Sequence, residues 1–305
     1  MTADNQEAHL DSTLYHLSYL GVIELIGEDA DQFLQGQLTC NVMELNDSKA
    51  SLAAFCNPKG RVISTLLLIK KQSGFLVILP RSLVDKVLKK LQMYVLRSKV
   101  KLADKSDELK VIGLSGSGLL AQSDFPDIDF HCNTNAGWSY IKLPSTHQRF
   151  LGIIESNEDS YQGLESFVVG DECEWRYQEI SSGFPWFDIE QSEKYIPQML
   201  NIDGLGGVSF NKGCYTGQEV VARTHYLGKA KRQLVLGECR RISQSNSNMT
   251  VKNAETKENI GEILALQSNE NSTRMLLVLQ TVDDNTKNLI LDDAEQTPLT
   301  LIPYQ

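Results

Sequence analysis

Apolar positions change period several times along this chain, and each change marks an element. After Gly27 comes Asp29-Ala-Asp-Gln-Phe-Leu-Gln-Gly-Gln-Leu38, an acidic start with Phe33, Leu34 and Leu38 at helical spacing. Residues 50–55 and 62–69 are β-rich runs separated by the turn Asn57-Pro58-Lys59-Gly60-Arg61, which predicts a hairpin, and residues 74–80 add a third strand. Between 83 and 95 the period switches, so that Leu83, Val84, Val87, Leu88, Leu91, Tyr94 and Val95 fall on one helical face. Residues 109–114, 138–143 and 149–155 predict further strands, and the region around Trp175 a second helical stretch. Beyond Lys229 the runs at 232–239, 259–266, 274–282 and 288–291 are short and β-like, divided by polar turns. The Ser-, Asn- and charge-rich segment 243–258 predicts a mobile loop. The pattern describes an α+β chain ending in a small antiparallel β-barrel, with no internal repeat.

Composition narrows the setting. A chain of 305 residues with 41% hydrophobic content is long enough for two or three domains and a substantial core. Its six cysteines, at 40, 56, 132, 173, 214 and 239, form no C-x-x-C pair and do not cluster, which argues against a zinc ribbon, a cluster-binding site and a disulfide framework. Residues 1–11 are polar and acidic, unlike a signal peptide, and apolar runs such as 66–69 and 75–79 are too short to span a bilayer. A reducing, cytoplasmic setting without membrane partners is expected. The net charge of −10 argues against a broad nucleic-acid-binding surface while leaving room for a local basic pocket.

The most informative stretch is Lys212-Gly-Cys-Tyr-Thr-Gly-Gln-Glu219. Thr216 and Glu219 match the S/T-x-x-E capping box, placing a helix start just after Cys214. Glu219 and Arg223 are spaced to pair one turn apart. A helix N-terminus and a nearby cation favour a thiolate, so Cys214 is a candidate reactive thiol, with Lys212 and Arg223 as candidate cations beside it. An inert, buried cysteine weighs equally on pattern alone.

Other signals are weaker. Gly116-Ser-Gly118-Leu-Leu-Ala121 matches G-x-G-x-x-A, but Pro126 would stop the following helix and the strands do not alternate with long helices. Gly204-Leu-Gly206-Gly207 has no G-K-[ST] behind it and predicts a tight turn or close packing. His225 fits a surface or capping role better than a general base. Trp175, Phe184, Trp186 and Phe187 are dense enough to build a core, and the same set suits the walls of a pocket for a flat heterocycle. No residue set calls for a permanently bound metal.

Several motifs together resemble one family. Gly183-Phe-Pro, Ile196-Pro-Gln-Met-Leu-Asn201, Leu205-Gly-Gly-Val-Ser-Phe210, the octet and Val-Val-Ala-Arg223 resemble the YgfZ family of folate-binding proteins. So do Phe33-Leu-Gln-Gly-Gln-Leu-Thr39, Asn57-Pro-Lys-Gly60 and Tyr94-Val-Leu-Arg-Ser-Lys-Val100 upstream. The resemblance implies a fold similar to the T-protein of the glycine cleavage system. That is an α+β cloverleaf of three subdomains around a central channel, with residues 1–228 forming two interleaved α+β subdomains and 229–305 the antiparallel β-barrel.

It also implies a protein that binds tetrahydrofolate or a one-carbon derivative and supports the making or repair of iron–sulfur enzymes, without independent turnover. Its partners would include a radical tRNA methylthiotransferase. The alternative is a folate-dependent one-carbon transferase, for which the sequence offers no carboxylate to nominate. Among folate-binding positions, the resemblance implies Trp175, Tyr215, Gln218 and Glu219. Two matched positions depart from the family: Leu20 stands where relatives carry tryptophan, and Ser181 where the Glu-Ala-Gly pattern carries a pocket glutamate. Both departures imply weaker or differently anchored folate.

Overall fold

Two strands that are neighbours in sequence part company at the start of the chain. In the computed structural model, which describes all residues except 1–11, 118, 120–124, 136–137, 157–163, 165, 229, 243–248 and 281–287, β1 (Thr13–His16) and β2 (Leu20–Ile26) enter different sheets. After β2 come α1 (Ala30–Gln35), β3 (Ser51–Cys56), β4 (Val62–Lys71), β5 (Gly74–Pro80), α2 (Val84–Tyr94) and β6 (Lys101–Asp104). Their strands join β2 in a five-stranded sheet of order β3-β4-β5-β2-β6, with β5 at its centre. Its strands β4 and β5 are buried almost throughout, because the sheet is covered on both faces. Val84, Val87 and Leu91 form the buried stripe of α2 that the sequence period predicts.

The chain continues through β7 (Leu109–Ser115), β8 (Cys132–Asn135), β9 (Trp138–Lys142), β10 (Arg149–Glu155) and β11 (Val168–Val169), which join β1 in a sheet of order β11-β1-β7-β10-β9-β8. Next is α3 (Glu172–Ser181), started by Asp171, whose carboxylate accepts from the Cys173 N–H at 2.7 Å. Gly183, at φ +78°, turns the chain away after it. A long irregular segment then leads to α4 (Gln218–Leu227) and to β12 (Arg232–Arg240), β13 (Thr250–Asn253), β14 (Asn259–Ser268), β15 (Ser272–Gln280), β16 (Leu289–Leu291) and β17 (Pro298–Ile302). These six strands close into a barrel of order β12-β15-β14-β13-β16-β17, filled by Val251, Ile263, Met275, Leu277 and Leu291. Closure leaves no open sheet edge. No described helix is long and apolar enough to cross a membrane.

The hairpin β3–β4, the helix α2 and the terminal barrel agree with the hydrophobic pattern. Several strands escape it. The first element among the described residues is β1, ahead of the helix expected after Gly27, and β6, β8, β11 and β17 are too short to show a period. Part of the segment expected as a loop is strand β13, whose polar sequence is held by pairing with β14 and β16. Residues 243–248 of that segment lie outside the described residues, as does most of the stretch after Gly116.

One carboxylate ties the hairpin turn to α2. Glu193, at φ +68°, accepts from Asn57 Nδ2 at 2.7 Å and lies 2.9 Å from Lys86 and 3.5 Å from Lys90. The Asn57 hydrogen bond and then the Lys86 ammonium hold its carboxyl down at about 2. A depressed folded-state pKa means the stabilisation is complete above the ordinary value of 4.5 and disappears as pH falls to about 2. The melting-temperature gap between the wild type and Glu193→Gln is therefore expected to be widest near neutral pH and to close across that acid window. A gap independent of pH between these limits would contradict the assignment.

Candidate functional site

Three of the motifs singled out in the sequence meet at one place. The octet loop lies across the end of α1 and the β3–β4 turn and is tied to both. Ser209 N–H donates to the Thr39 carbonyl at 2.9 Å, and Thr216 N–H to the Gly36 carbonyl at 3.3 Å. Thr39 Oγ1 donates to the Gly207 carbonyl at 2.6 Å and accepts from Ala54 N–H at 2.8 Å. Lys212 reaches inward, its Nζ donating to the carbonyls of Leu38 at 2.8 Å and Cys40 at 2.7 Å. Burial lowers this ammonium to about 8, with the neighbouring Cys40 thiol acting in the opposite sense. The Lys212 cation is thus spent on backbone oxygens, and it also lies 5.2 Å above the ring of buried Tyr215.

Glycine is obligatory at the contact between the octet and the Asn57–Arg61 turn. Gly217 has φ +83°, and a Cβ there would sit 2.5 Å from the Asn57 carbonyl oxygen. Gly60, at φ +69°, presses on Val220 in the first turn of α4. This packing overrides the expected capping box. Gly217 is the N-cap and Gln218 the first helical residue, so Thr216 lies outside the cap, with its hydroxyl 3.4 Å from Gln37 Oε1. Glu219 instead reaches forward to Arg223 at 2.7 Å, the pair the spacing predicts, on an exposed surface. Cys214 stands exposed between these anchors, and Gly213 beside it has nothing within 4 Å of a would-be Cβ.

A second feature lies where the five-stranded sheet, α3 and the barrel meet. A cavity of about 230 Å³ is lined by Tyr19, Glu179, Phe184, Trp186 and Phe187, with β14 residues such as Leu264 on its far side. Glu179 is buried, and its carboxylate accepts from the Tyr19 hydroxyl at 2.5 Å and from Trp186 Nε1 at 3.1 Å. Burial pushes this carboxyl up, while the fully buried Arg149 guanidinium, 4.0 Å away, pulls it down. Burial also pushes the Tyr19 hydroxyl up, reinforced by Glu179, so Tyr19 stays a donor. Arg149 in turn lies 4.2 Å over the ring of Trp175.

The positions expected to bind a cofactor are therefore dispersed. Trp175 is fully buried behind the cavity, against Tyr15 and Gly113, where a Cβ on the glycine would be 2.5 Å from its ring. Leu20 is buried in β2, and its neighbour Tyr19 is the one that faces the cavity. Ser181 lies on the other side of α3, lining a separate cavity of about 570 Å³, with its hydroxyl accepting from Arg274 at 2.7 Å. Tyr215, Gln218 and Glu219 belong to the octet, none of whose residues lines the Glu179 cavity. The aromatic cluster expected as core or pocket wall does both, since Phe184, Trp186 and Phe187 are buried and line the cavity. His225 stacks on Phe210 at the surface, and Gly206, at φ +75°, makes the tight turn its glycines suggest. Glu179 itself was missed, although it falls one turn after Trp175 and shares its buried face. Among the described residues no cluster of His, Cys, Asp and Glu could hold a metal.

Comparison with known proteins bears on the family and the fold. The GCVT N-terminal domain profile matches residues 2–123. The tRNA-modifying protein YgfZ of Pectobacterium atrosepticum is 33% identical, across 97% of this chain and 92% of the relative. The chain belongs to the YgfZ family. The relative of the same name from Enterobacter sp. (strain 638) is 31% identical, over 97% of this chain and 94% of its own. Glycine cleavage system aminomethyltransferase T from Bartonella henselae superposes with a TM-score of 0.73, covering 98% of this chain and 88% of that one at 13% identity. That likeness establishes the shared fold, including the mixed α/β body and the terminal barrel.

The loop geometry yields a paired expectation. Gly217→Ala should cost about 1–3 kcal/mol in denaturant unfolding, from the left-handed φ and the clash with Asn57, and should speed thiol labelling of Cys214. Gly213→Ala, which meets nothing, should stay within about 0.5 kcal/mol of wild type. Equal costs for the two would refute the clamp.

Proposed function

We propose that this protein binds tetrahydrofolate in the Glu179 cavity and supports the making or repair of iron–sulfur enzymes, including those that modify tRNA, with Cys214 as its reactive thiol. The observation that carries the folate half is a buried carboxylate between aromatic walls. A pterin ring is flat and presents an edge of N–H donors. Glu179 keeps lone pairs free beyond the two used by Tyr19 and Trp186, so it can accept from that edge. The volume falls below the ~300 Å³ at which sites for whole drug-sized ligands begin, which suits the bicyclic head with the tail left outside. Half-buried Arg176, stacked over Tyr19, supplies a cation for that tail. When bound, tetrahydrofolate would supply a carrier for one-carbon units. Behind the cavity, Arg149, stacked on Trp175, counters part of the upward push that burial gives the Glu179 carboxyl.

Membership of a family whose relatives are named tRNA-modifying proteins supports the client side of this reading. The exposed thiol on a rigid, three-point clamp supports the role of Cys214, since a group that meets a partner needs both access and a fixed position. Lys212 serves that role as an anchor of the loop, and Arg223 through its pairing with Glu219.

A second reading, a one-carbon transferase acting alone, draws on the aminomethyltransferase fold and on Glu179, a carboxylate placed to manage a proton. Release of the one-carbon unit from methylene-tetrahydrofolate without any iron–sulfur partner would favour it.

Titration with tetrahydrofolate should quench tryptophan fluorescence saturably, and Glu179→Gln should weaken binding tenfold or more, the equivalent of about 1.5–3 kcal/mol for a charge-assisted hydrogen bond. Unchanged affinity in Glu179→Gln would remove this cavity from the folate reading. Cys214→Ala should keep the folate titration intact while failing to support iron–sulfur enzyme activity in cells, and full rescue by that variant would sink the thiol role.

A further inference from the structure

The acidic chain carries a compact basic face that neither the cavity nor the thiol explains. Lys86 and Lys90 on α2 meet Glu193, whose carboxylate also binds Asn57 in the hairpin turn. In that turn Arg61 donates to the Lys194 carbonyl at 2.7 Å, and Gly60 packs on Val220 of α4. The contacts make one continuous surface from α2 over the turn to α4, bearing Lys59, Arg61, Lys86, Lys90, Lys194 and Arg223. The carboxylates bonded into it are Glu193, Glu219 and, 4.0 Å from Lys194, Glu262 of β14, so six cations face three carboxylates in a chain whose net charge is −10. Lys59, Lys194 and Arg223 are exposed.

Aromatic rings stand at the far end of α4. His225 stacks face to face on Phe210, with ring centres 3.7 Å apart and planes 15° from parallel, and Tyr226 meets Phe210 edge-on at 6.1 Å. Tyr226 is 64% exposed. A core packing role accounts for none of that exposure.

We propose that this face contacts single-stranded or loop RNA, its cations meeting phosphates and the rings of His225 and Tyr226 stacking on unpaired bases. Cations flanked by exposed rings are what such RNA needs, because every base has a face to stack and every phosphate a charge to neutralise. A long duplex would need a basic surface broader than this chain can present. An acidic protein partner would be expected to bury a larger apolar centre than Tyr226 and Leu227 provide. The proposal is independent of folate binding, so either can fail alone.

Fluorescence anisotropy of the full chain with a labelled single-stranded oligoribonucleotide, and with unfractionated tRNA as competitor, tests it. Binding should be saturable, with a log–log salt slope of about −2, as expected for roughly three phosphate contacts at ~0.7 each. The combined variant Lys59→Glu, Lys194→Glu, Arg223→Glu should weaken binding at least tenfold. Tyr226→Ala should weaken it severalfold with the salt slope unchanged, and Lys257→Glu in the barrel should bind as the wild type does. These positions are on the surface, and thermal melts confirm that the variants fold. Absence of saturable RNA binding at low salt, or wild-type affinity in the triple variant, overturns the proposal. So does displacement of RNA by polyglutamate at equal charge together with no effect of Tyr226→Ala, which would assign the face to an acidic protein.

Discussion

The buried pairing of Arg149 with Glu179 is the interaction around which the rest of the molecule is arranged. Arg149 comes from β10 of the six-stranded sheet, Glu179 from α3, and Tyr19, which donates to Glu179, from the crossing between the two sheets. The two charges face each other at 4.0 Å without a direct hydrogen bond, Arg149 donating instead to Ser182 Oγ at 3.1 Å, and losing one partner of a buried pair costs about 3–5 kcal/mol because the other charge is left uncompensated. The pair therefore forces sheet, helix and crossing into one relative position. Trp175 on one side and Trp186 on the other complete the shell. The cavity beside Glu179 is a consequence of that arrangement, with its polar group already oriented before any ligand arrives.

The thiol loop obeys a different constraint. Its rigidity comes from backbone groups, with carbonyls of Leu38 and Cys40 taken by Lys212 and glycines at 60 and 217 allowing two turns to touch. Close backbone contact of this kind tolerates no side chain at the glycines, whereas Gly213, beside the exposed thiol, is under no such demand. The cavity and the loop share no lining residue, so the Glu179 cavity and the exposed thiol are separate features of the molecule.

Much of this was legible in the residues. The period of α2, the hairpin with its Asn-Pro-Lys-Gly turn, the terminal run of short strands and the octet all carry local signals, because helix faces, turns and close glycine contacts constrain residue type directly. The family resemblance rests on the octet, the Asn-Pro-Lys-Gly turn and further short motifs such as Ile196-Pro-Gln-Met-Leu-Asn201. Harder to see were β1, β6, β8, β11 and β13, whose few residues take their shape from partner strands far away in sequence. The capping box failed for a related reason, since a clash-free contact with Asn57 outweighed the local preference of Thr216.

By itself the sequence determined the α+β class, the barrel, the identity of the thiol motif and its family, since each depends on residues close along the chain. The tertiary structure alone decided where charge and cavity lie. Ser181 and Glu179 are two positions apart on one helix, and the helical rotation between them sends one to the Arg274 side and the other into the aromatic cavity. Whether a carboxylate becomes a surface charge or a buried anchor depends on what packs against it, and those neighbours, Tyr19, Arg149 and Trp186, reach Glu179 only through the fold.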